Sequence, residues 1–206
     1  YLVGTKEFYS LPFEVTRDVL IPRPDTELLV MEALQVLKDH PNPKMLELGV
    51  GSGCISTAIA VNHKTVRGVG VEIYQPTLEV AQRNIKRHHV EDRIDLRLGD
   101  LFSPLKQGER FDVLVSNPPY IPDDEWNAVE PNVKDHEPHL ALRGGVDGLD
   151  LVRRLLGDPA SGGHDAVALL KPGGLLLIEV ADSRAPSALQ LVSRRDELEG
   201  AQILKD

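Results

Sequence analysis

The sequence contains a single cysteine, Cys54, among its 206 residues. One cysteine excludes an internal disulfide framework and a cysteine-rich zinc site, and it fits a reducing compartment. Cys54 has no basic neighbour in the sequence, so we expect a small buried packing residue rather than a nucleophile. We expect no metal site.

Positive charge is also scarce, because 23 Lys and Arg residues are outnumbered by 32 Asp and Glu residues and the net charge is -9. A protein that follows a nucleic-acid backbone needs clustered Lys and Arg to displace counterions from the phosphates. The acidic balance therefore argues against a direct nucleic-acid partner.

Long apolar runs are missing as well, since none approaches the roughly 20 residues that cross a bilayer. Tyr1 to Glu7 lack the basic-then-apolar layout of a signal peptide. We therefore expect no membrane partner and a cytoplasmic location, with a mitochondrial or plastid matrix as the alternative if an upstream targeting segment was lost. An apolar content of 41% allows one full core, which favours one α/β-sized domain, expected as a monomer.

Short β-like runs alternate with longer helical patterns, which is typical of an α/β fold with a mostly parallel, twisted sheet and helices on both faces. The predicted strands are 44–48, 67–71, 94–98, 111–116, 175–180 and 201–204. The predicted helices are 26–39, 54–61, 76–88, 149–156 and 186–198, the first of them capped by Asp25. Residues 121–147 are polar and rich in Pro and Gly, and their length predicts a functional loop or lid on the substrate side.

A glycine-rich loop, Glu47-Leu-Gly49-Val-Gly51-Ser-Gly53, follows the first of these sheet strands and precedes a helix. Glycines let the backbone pass close to a ligand, and the helix N-terminus offers free N–H groups, so the loop predicts a nucleotide-like cofactor. The dinucleotide fingerprint would need glycine where Cys54 stands, which disfavours a bound pyrophosphate. Glu47 either binds an amino group of the cofactor or stabilises the loop.

Acidic residues follow the next two predicted strands. Glu72 stands 19 positions after Gly53, where a carboxylate can accept both hydroxyls of a ribose. Asp100 follows the third strand and can meet an adenine amine, and we assign Leu101 to the same cofactor site. Each residue alone can also be a turn former or a solvated strand end. Together they favour a cofactor site, because ligands of open α/β sheets bind at the carboxyl ends of the strands.

The fourth sheet strand ends at Asn117-Pro118-Pro119-Tyr120, a turn that suits the handling of a planar NH2 group. Amide and aromatic amines are poor nucleophiles, so an enzyme must hold them and aim them at an electrophilic methyl group. The carbonyl oxygens of Asn117 and Pro118 can each accept one N–H, and Tyr120 can lie flat on the planar group. The prolines, Pro119 included, stiffen the turn. The alternative is a rigid strand-ending turn with a packed tyrosine.

Further segments resemble the release-factor glutamine methyltransferases, the HemK/PrmC family, and the likeness covers nearly the whole chain. The segments are Tyr1-Leu-Val-Gly4 with Glu7-Phe8, Ile21-Pro-Arg-Pro-Asp-Thr-Glu27, Glu137-Pro138 and the block Ala141-Leu142-x-Gly144-Gly145-x-Asp147-Gly148-Leu149. The turn at Asn117 is by itself shared with adenine-specific DNA and guanine-specific RNA methyltransferases. The combination of segments therefore indicates the family.

The resemblance implies a Rossmann-like class I fold and methyl transfer from S-adenosylmethionine, leaving S-adenosylhomocysteine, to the glutamine of the Gly-Gly-Gln loop in peptide-chain release factors. Asn117 and Pro118 would hold the glutamine amide, with Asn117 also touching the cofactor. Tyr120 would pack on the amide, and Phe8 and Arg23 would border cofactor and substrate. The alternatives are a nucleic-acid exocyclic-amine methyltransferase, acting on adenine or guanine, and a noncatalytic cofactor-binding module.

The resemblance also sets expectations for domain organisation. Residues 1–25 would lead from an N-terminal helical domain, absent from this sequence, into a catalytic domain over 26–206 that lacks its last strand. Glu72 stands where the family more often has aspartate. The stretch 157–164 is longer than the usual helix at this place, which predicts an insertion or a mobile loop.

Overall fold

Strands and helices alternate along residues 3–157 and 165–205, which are the residues that this structure, a computed structural model, describes. The strands are β1 (Thr5–Phe8), β2 (Leu11–Glu14), β3 (Lys44–Leu48), β4 (Arg67–Glu72), β5 (Ile94–Leu98), β6 (Phe111–Ser116) and β7 (Leu170–Ile178). The helices are α1 (Glu27–Leu37), α2 (Cys54–Asn62), α3 (Gln75–Arg87), α4 (Pro131–Lys134), α5 (Asp150–Leu155), α6 (Ala166–Leu169) and α7 (Ala185–Val192). Short 3-10 helices occur at Trp126–Ala128, His139–Ala141 and Asp182–Arg184.

Strands β3 to β7 form one parallel sheet in the order β5-β4-β3-β6-β7. Because β3 is central, the chain builds β4 and β5 on one side of it and then returns to place β6 on the other side. The carboxyl ends of β3 and β6 therefore border the crevice in which open α/β sheets bind ligands. The glycine loop follows β3, and the turn at Asn117 follows β6.

Two apolar clusters cover the two faces of this sheet. On one face, Met45 of β3 and Val113 of β6 pack with Ala58 of α2 and with buried residues of α1 and α3. On the other face, Leu46 of β3 packs with Leu155 of α5 and with residues that follow β5. The predicted α/β class, with a mostly parallel sheet and helices on both faces, is confirmed.

An antiparallel hairpin of β1 and β2 precedes α1, and it was not among the predicted elements. Tyr9 and Ser10 make its two-residue turn with φ of +49° and +59°. Asn and Gly usually fill such positions, so a Tyr-Ser pair carries no hairpin signal. Phe8 and Phe13 of the hairpin belong to the same apolar cluster as Leu29 of α1, so the hairpin packs on the sheet domain.

Most predicted elements agree with the observed ones to within a few residues, and the differences concentrate near the end of the chain. Strand β7 begins at Leu170, because the turn over 171–174 is an irregularity within the strand that leaves Leu175 paired with Val113. The last helix ends at Val192, short of the predicted residue 198. The predicted strand over 201–204 is wrong: these residues are exposed, and no described strand pairs with their backbone.

Two expectations on chain organisation stay predictions. Residues 158–164 lie outside the described residues, and they make up nearly all of the insertion predicted over 157–164. The boundary predicted after residue 25 is likewise untested. In the described parts of the chain, no helix combines the length and the apolar character needed to cross a membrane.

Candidate active site

The glycine loop joins β3 to α2 in a backbone conformation that glycine adopts readily. Gly49, Gly51 and Gly53 have φ of +76°, +57° and +78°. A Cβ atom at Gly53 would lie 3.3 Å from the Cα of Ala81, so helix α3 packs closely there. Among the described residues, apart from each glycine's own chain neighbours, no atom lies within 4 Å of a Cβ built at Gly49 or Gly51. At those two positions the backbone borders open space, which a ligand can enter.

Glu72, at the end of β4, is held against this loop. Its Oε2 accepts a hydrogen bond from the N–H of Gly51 at 3.1 Å, and its Oε1 accepts from the N–H groups of Ile73 and Tyr74 at 2.9 and 3.2 Å. Burial raises the pKa of Glu72, and the three backbone donors oppose that shift. The structure thus brings together the glycine loop and the carboxylate that the sequence assigned to one cofactor site.

Glu47 is enclosed by the protein. Its side chain is fully buried, and its Oε2 accepts hydrogen bonds from the N–H of Ser56 at 3.0 Å and from the hydroxyl of Ser56. Burial raises the pKa of Glu47 to about 8, although the bonds from Ser56 act to lower it. Of the two roles that the sequence left open, these contacts favour stabilisation of the loop and of the first turn of α2.

Cys54 begins α2 as a buried free thiol. Burial and the nearby charge of Glu47 raise its pKa to about 12, so the thiol stays protonated and packs as a small side chain, as predicted. Within residues 3–157 and 165–205, no group of three or more His, Cys, Asp and Glu side chains is placed to hold a metal ion.

Asp100 and Leu101 follow β5 at the same edge of the sheet. The Oδ2 of Asp100 accepts from Nη2 of Arg154 at 2.7 Å, an ion pair with α5 that the sequence did not indicate. Leu101 has φ of +47°, which is uncommon for a residue with a bulky side chain, and its side chain packs in the apolar cluster with Phe102. Leu101 therefore shapes the turn that carries Asp100, and its contact with a cofactor stays a prediction.

Asn117 begins the turn after β6, and its side chain is fixed at one end. Nδ2 donates to Oγ1 of Thr26 at 3.1 Å, while Oδ1 receives no hydrogen bond from the described residues. The carbonyl of Pro118 also accepts no hydrogen bond from residues 3–157 or 165–205. Neither carbonyl oxygen is therefore occupied by a hydrogen bond from the described residues.

Thr26 is the residue of this site that sequence reasoning missed. It was predicted as the first helical residue after an Asp25 cap, but that cap is wrong: Thr26 itself is the N-cap, and its side chain makes no capping bond. The first N–H groups of α1 are satisfied by backbone carbonyls, since Glu27 donates to Pro24 and Leu28 to Asp25. The Thr26 hydroxyl is thus free of capping and accepts from Asn117. One indication of a role for Thr26 was present in the sequence, namely its position in the segment 21–27 that carries the family resemblance.

A cavity of about 110 Å³ lies beside Asn117. Its lining comes from the segment before α1, from the turn after β6 and from the segment 121–147: Leu20, Arg23, Asn117, Tyr120, Ile121, Val133, Ala141 and Leu142. Three of the predicted substrate residues, Arg23, Asn117 and Tyr120, therefore surround one space. Burial and the charge of Glu179 raise the pKa of Tyr120, so its phenol stays neutral.

Gly144 and Gly148, in the block 141–149, pack against the backbone of the turn that begins at Asn117. The N–H of Ile121 donates to the carbonyl of Leu142 at 2.9 Å, and the N–H of Gly144 donates back to Ile121 at 2.8 Å. A Cβ at Gly144 would lie 2.7 Å from the carbonyl oxygen of Pro119, and one at Gly148 would overlap the carbonyl oxygen of Tyr120. Backbone therefore packs directly on backbone, which explains glycine at both positions.

Phe8 does not line this cavity, contrary to the substrate contact expected from the resemblance. Its ring is 1% exposed and packs edge-to-face on Phe13, with ring centroids 6.1 Å apart. A ring enclosed in this way has no free face for a substrate, so the geometry gives Phe8 a packing role.

Comparison with known proteins places this site in a family. The family model described as "Methyltransferase small domain" matches residues 25–146, which include the glycine loop, Glu72, Asp100 and the turn at Asn117. The release factor glutamine methyltransferase of Geobacter sulfurreducens is 44% identical over 194 residues, covering 94% of this chain and 64% of its own length. That of Rhodopirellula baltica is 37% identical over 209 residues, covering 100% of this chain and 68% of its own length. The chain belongs to the release factor glutamine methyltransferase family.

The family relationship confirms the resemblance read from the segments around Arg23, Asn117 and Gly144. The chain spans 64% and 68% of the length of these two members of the release factor glutamine methyltransferase family. Among solved structures, the ribosomal protein L11 methylase of Lactobacillus delbrueckii subsp. bulgaricus is similar, with a TM-score of 0.52 and 17% identity over 84% of this chain and 69% of that chain. This likeness shows the fold alone, and it agrees with the Rossmann-like class I methyltransferase fold that was predicted.

Proposed function

We propose that this protein transfers a methyl group from S-adenosylmethionine to the side-chain amide nitrogen of the glutamine in the Gly-Gly-Gln loop of a peptide-chain release factor. Membership of the family supports the substrate class. The observation that carries the chemistry is Oδ1 of Asn117, which accepts no hydrogen bond from the described residues and belongs to a side chain that lines one small cavity. The carbonyl of Pro118, next in the chain, likewise accepts none from the described residues.

The cofactor would lie across the carboxyl ends of β3, β4 and β5. Glu72 would accept the ribose hydroxyls, Asp100 would meet the adenine amine, and the open backbone at Gly49 and Gly51 would allow close approach. S-adenosylmethionine supplies an electrophilic methyl group on a sulfonium. The fit rests on the open space above the two glycines and on a carboxylate that is already oriented by backbone donors.

The acceptor amide would donate its two N–H groups to Asn117 and Pro118, which leaves the third direction of the nitrogen for the methyl group. The two carbonyl dipoles would stabilise the positive charge that develops on the acceptor nitrogen as it takes the methyl group. The proton then leaves to water. Tyr120, neutral because its pKa is raised, would pack on the planar amide.

The shape and charge of the site favour a protein acceptor over a nucleic acid. Most of the cavity wall is aliphatic, as in Leu20, Val133 and Leu142, which suits the methylene groups of a glutamine. The segment 121–147 contains seven acidic residues and two of Lys or Arg, and that balance repels a phosphate backbone. In this proposal the enzyme is a cytoplasmic monomer whose partner is the release factor, with no direct contact to nucleic acid or membrane.

Mass spectrometry of a release factor incubated with the protein and S-adenosylmethionine tests the proposal. We expect one added methyl group on the glutamine of the Gly-Gly-Gln loop, and none on a release factor in which that glutamine is replaced by alanine. Methylation of adenine or guanine in added nucleic acid, with an unmodified release factor, would favour the alternative enzyme.

Calorimetry tests the cofactor part of the proposal separately. Glu72→Gln should weaken binding of S-adenosylhomocysteine by about 1 to 3 kcal/mol, the scale for loss of a charged hydrogen-bond acceptor. Nicotinamide dinucleotides should not bind. A preference for those dinucleotides over S-adenosylhomocysteine would overturn the cofactor assignment.

A further inference from the structure

One ion pair ties the segment before α1 to the segment 121–147. Nη2 of Arg23 donates to Oε1 of Glu137 at 2.6 Å, across 114 positions of sequence. The side chain of Glu137 is 4% exposed, and that of Arg23 is 34% exposed. The pair therefore joins two segments that both contribute to the wall of the cavity beside Asn117.

Burial distinguishes this pair from another ion pair of the segment 121–147. Arg143 and Asp123 are joined at the same distance, 2.6 Å, but their side chains are 48% and 43% exposed. Exposed pairs contribute little to stability, whereas removal of one partner from a buried pair leaves a charge without compensation. Oε2 of Glu137 is buried and has no hydrogen-bond partner among the described residues. Arg23 is thus the donor that compensates this carboxylate.

Both charges act on the cavity. Arg23 lines it together with Asn117 and Tyr120. The charges of Arg23 and Glu137 also influence the pKa of Tyr120 in opposite directions, Arg23 lowering it and Glu137 raising it. Loss of one charge of the pair would therefore change the electrostatic potential where the acceptor nitrogen is held.

We propose that Glu137 is a positioning residue for methyl transfer: it holds the Arg23 guanidinium at the cavity and cancels its charge beside the acceptor nitrogen. This inference rests on the proposed function. Positive charge grows on that nitrogen during the reaction, so an uncompensated guanidinium nearby would oppose the transition state. With one N–H held by Glu137, the other donors of Arg23 can meet a carbonyl oxygen of the substrate backbone.

Steady-state kinetics on three variants separate these two contributions. Glu137→Gln should lower kcat about 10-fold at saturating release factor, because it leaves the Arg23 charge in place without its partner. Arg23→Gln should raise the KM for the release factor while kcat stays within about 3-fold of wild type. The double variant should recover the kcat of the single Arg23→Gln variant but keep its raised KM. A purely structural role predicts instead that the double variant is at least as impaired as Glu137→Gln.

Asp123→Asn is the matched control, since it breaks the exposed pair on the same segment and should leave kcat and KM close to wild type. Titration with S-adenosylhomocysteine confirms that each variant is folded. Wild-type kcat in Glu137→Gln, or a double variant with no recovery over it, would overturn the inference.

Amide hydrogen exchange distinguishes failure of this inference from failure of the proposed function. Exchange over residues 18–25 and 131–142 should quicken in Glu137→Gln and in Arg23→Gln, and not in Asp123→Asn. A wild-type protein that does not methylate a release factor removes the proposed function. Unchanged exchange in Glu137→Gln removes the positioning role of Glu137, whichever substrate the protein has.

Discussion

The side-chain amide of Asn117 donates to the hydroxyl of Thr26 at 3.1 Å, across 91 positions of sequence. Because this bond holds Nδ2, it leaves Oδ1 as the end of the carboxamide that can accept an incoming N–H. Thr26 is 3% exposed, so water has little access to compete for the bond. The orientation of the central acceptor is therefore set by the residue that precedes α1.

Replacement of Thr26 by valine should lower methyl transfer about 10-fold and leave cofactor affinity nearly unchanged, because the Asn117 amide loses its acceptor while the packing volume is kept. Thr26→Ser keeps the hydroxyl and should stay close to wild type. Single-turnover methyl transfer to a release factor, alongside titration with S-adenosylhomocysteine, measures both quantities. Valine and serine variants with the same rate would show that the hydroxyl has no part in orienting Asn117.

Replacement of Asn117 by alanine should reduce turnover by roughly 100-fold or more, the size of effect seen when one preorganised transition-state partner is removed. Cofactor affinity should stay within a few-fold, because other strand ends hold the cofactor. Asn117→Asp should keep partial activity, since it retains an acceptor oxygen but loses the donor to Thr26. The same single-turnover assay applies. Near-normal turnover in the alanine variant, or complete loss of its cofactor binding, would remove Asn117 from this role.

Glu47 should make the stability of the protein fall as pH rises. Its pKa is raised to about 8 from an ordinary value of 4.5, so between these two values the folded protein holds a proton that the unfolded chain has released. Over that window the free energy of unfolding should lose about 1.4 kcal/mol per pH unit from this group. Glu47→Gln, which imitates the protonated acid, should remove that loss. Urea unfolding of both proteins at several pH values between 5 and 8 measures it.

In that comparison, the difference in unfolding free energy between Glu47→Gln and wild type should shift in favour of the variant as pH rises. Curves that stay parallel across the range would mean that Glu47 is already ionised in the folded protein, and that its bonds from Ser56 outweigh its burial.

Alanine at Gly148 should damage both stability and activity, because the added Cβ would overlap the carbonyl oxygen of Tyr120 behind the substrate turn. Gly173 offers a matched control. It has φ of +75°, close to the +80° of Gly148, but no atom of the described residues beyond its chain neighbours lies within 4 Å of its Cβ position. Gly173→Ala should therefore show only the backbone strain, of about 1 to 2 kcal/mol. Thermal unfolding and methyl transfer measure the two variants, and equal losses in both would contradict the contact.

The inner strands of the central sheet, β3, β4 and β6, were predictable because they are short, mostly apolar segments that are buried along nearly their whole length. The observed bounds of β3, β5 and β6 are those predicted. The glycine loop, Glu72 and Asn117 could also be predicted to lie close together. Each follows or ends a predicted strand, and parallel strands have their carboxyl ends at one edge of the sheet.

Contacts between distant segments were beyond the reach of sequence patterns. The bond from Asn117 to Thr26 and the pair of Arg23 with Glu137 each join parts of the chain more than 90 positions apart. A local pattern can propose Thr26 as a helix cap, but it cannot show that the hydroxyl is used elsewhere. The prediction of a strand over 201–204 was wrong for a related reason, because a strand needs backbone hydrogen bonds from a neighbouring strand.

The central place of β3 has a consequence for how the molecule folds. Strands β3, β4 and β5 come from one continuous stretch, residues 44–98, so the glycine loop and Glu72 can be assembled by successive short crossovers. Strand β6 must instead reach back past two strands to pair with β3, and closing so long a loop is slow. During synthesis, the cofactor site at the ends of β3, β4 and β5 should therefore form first. The acceptor site should form only after β6 has paired with β3 and Asn117 has bonded to Thr26.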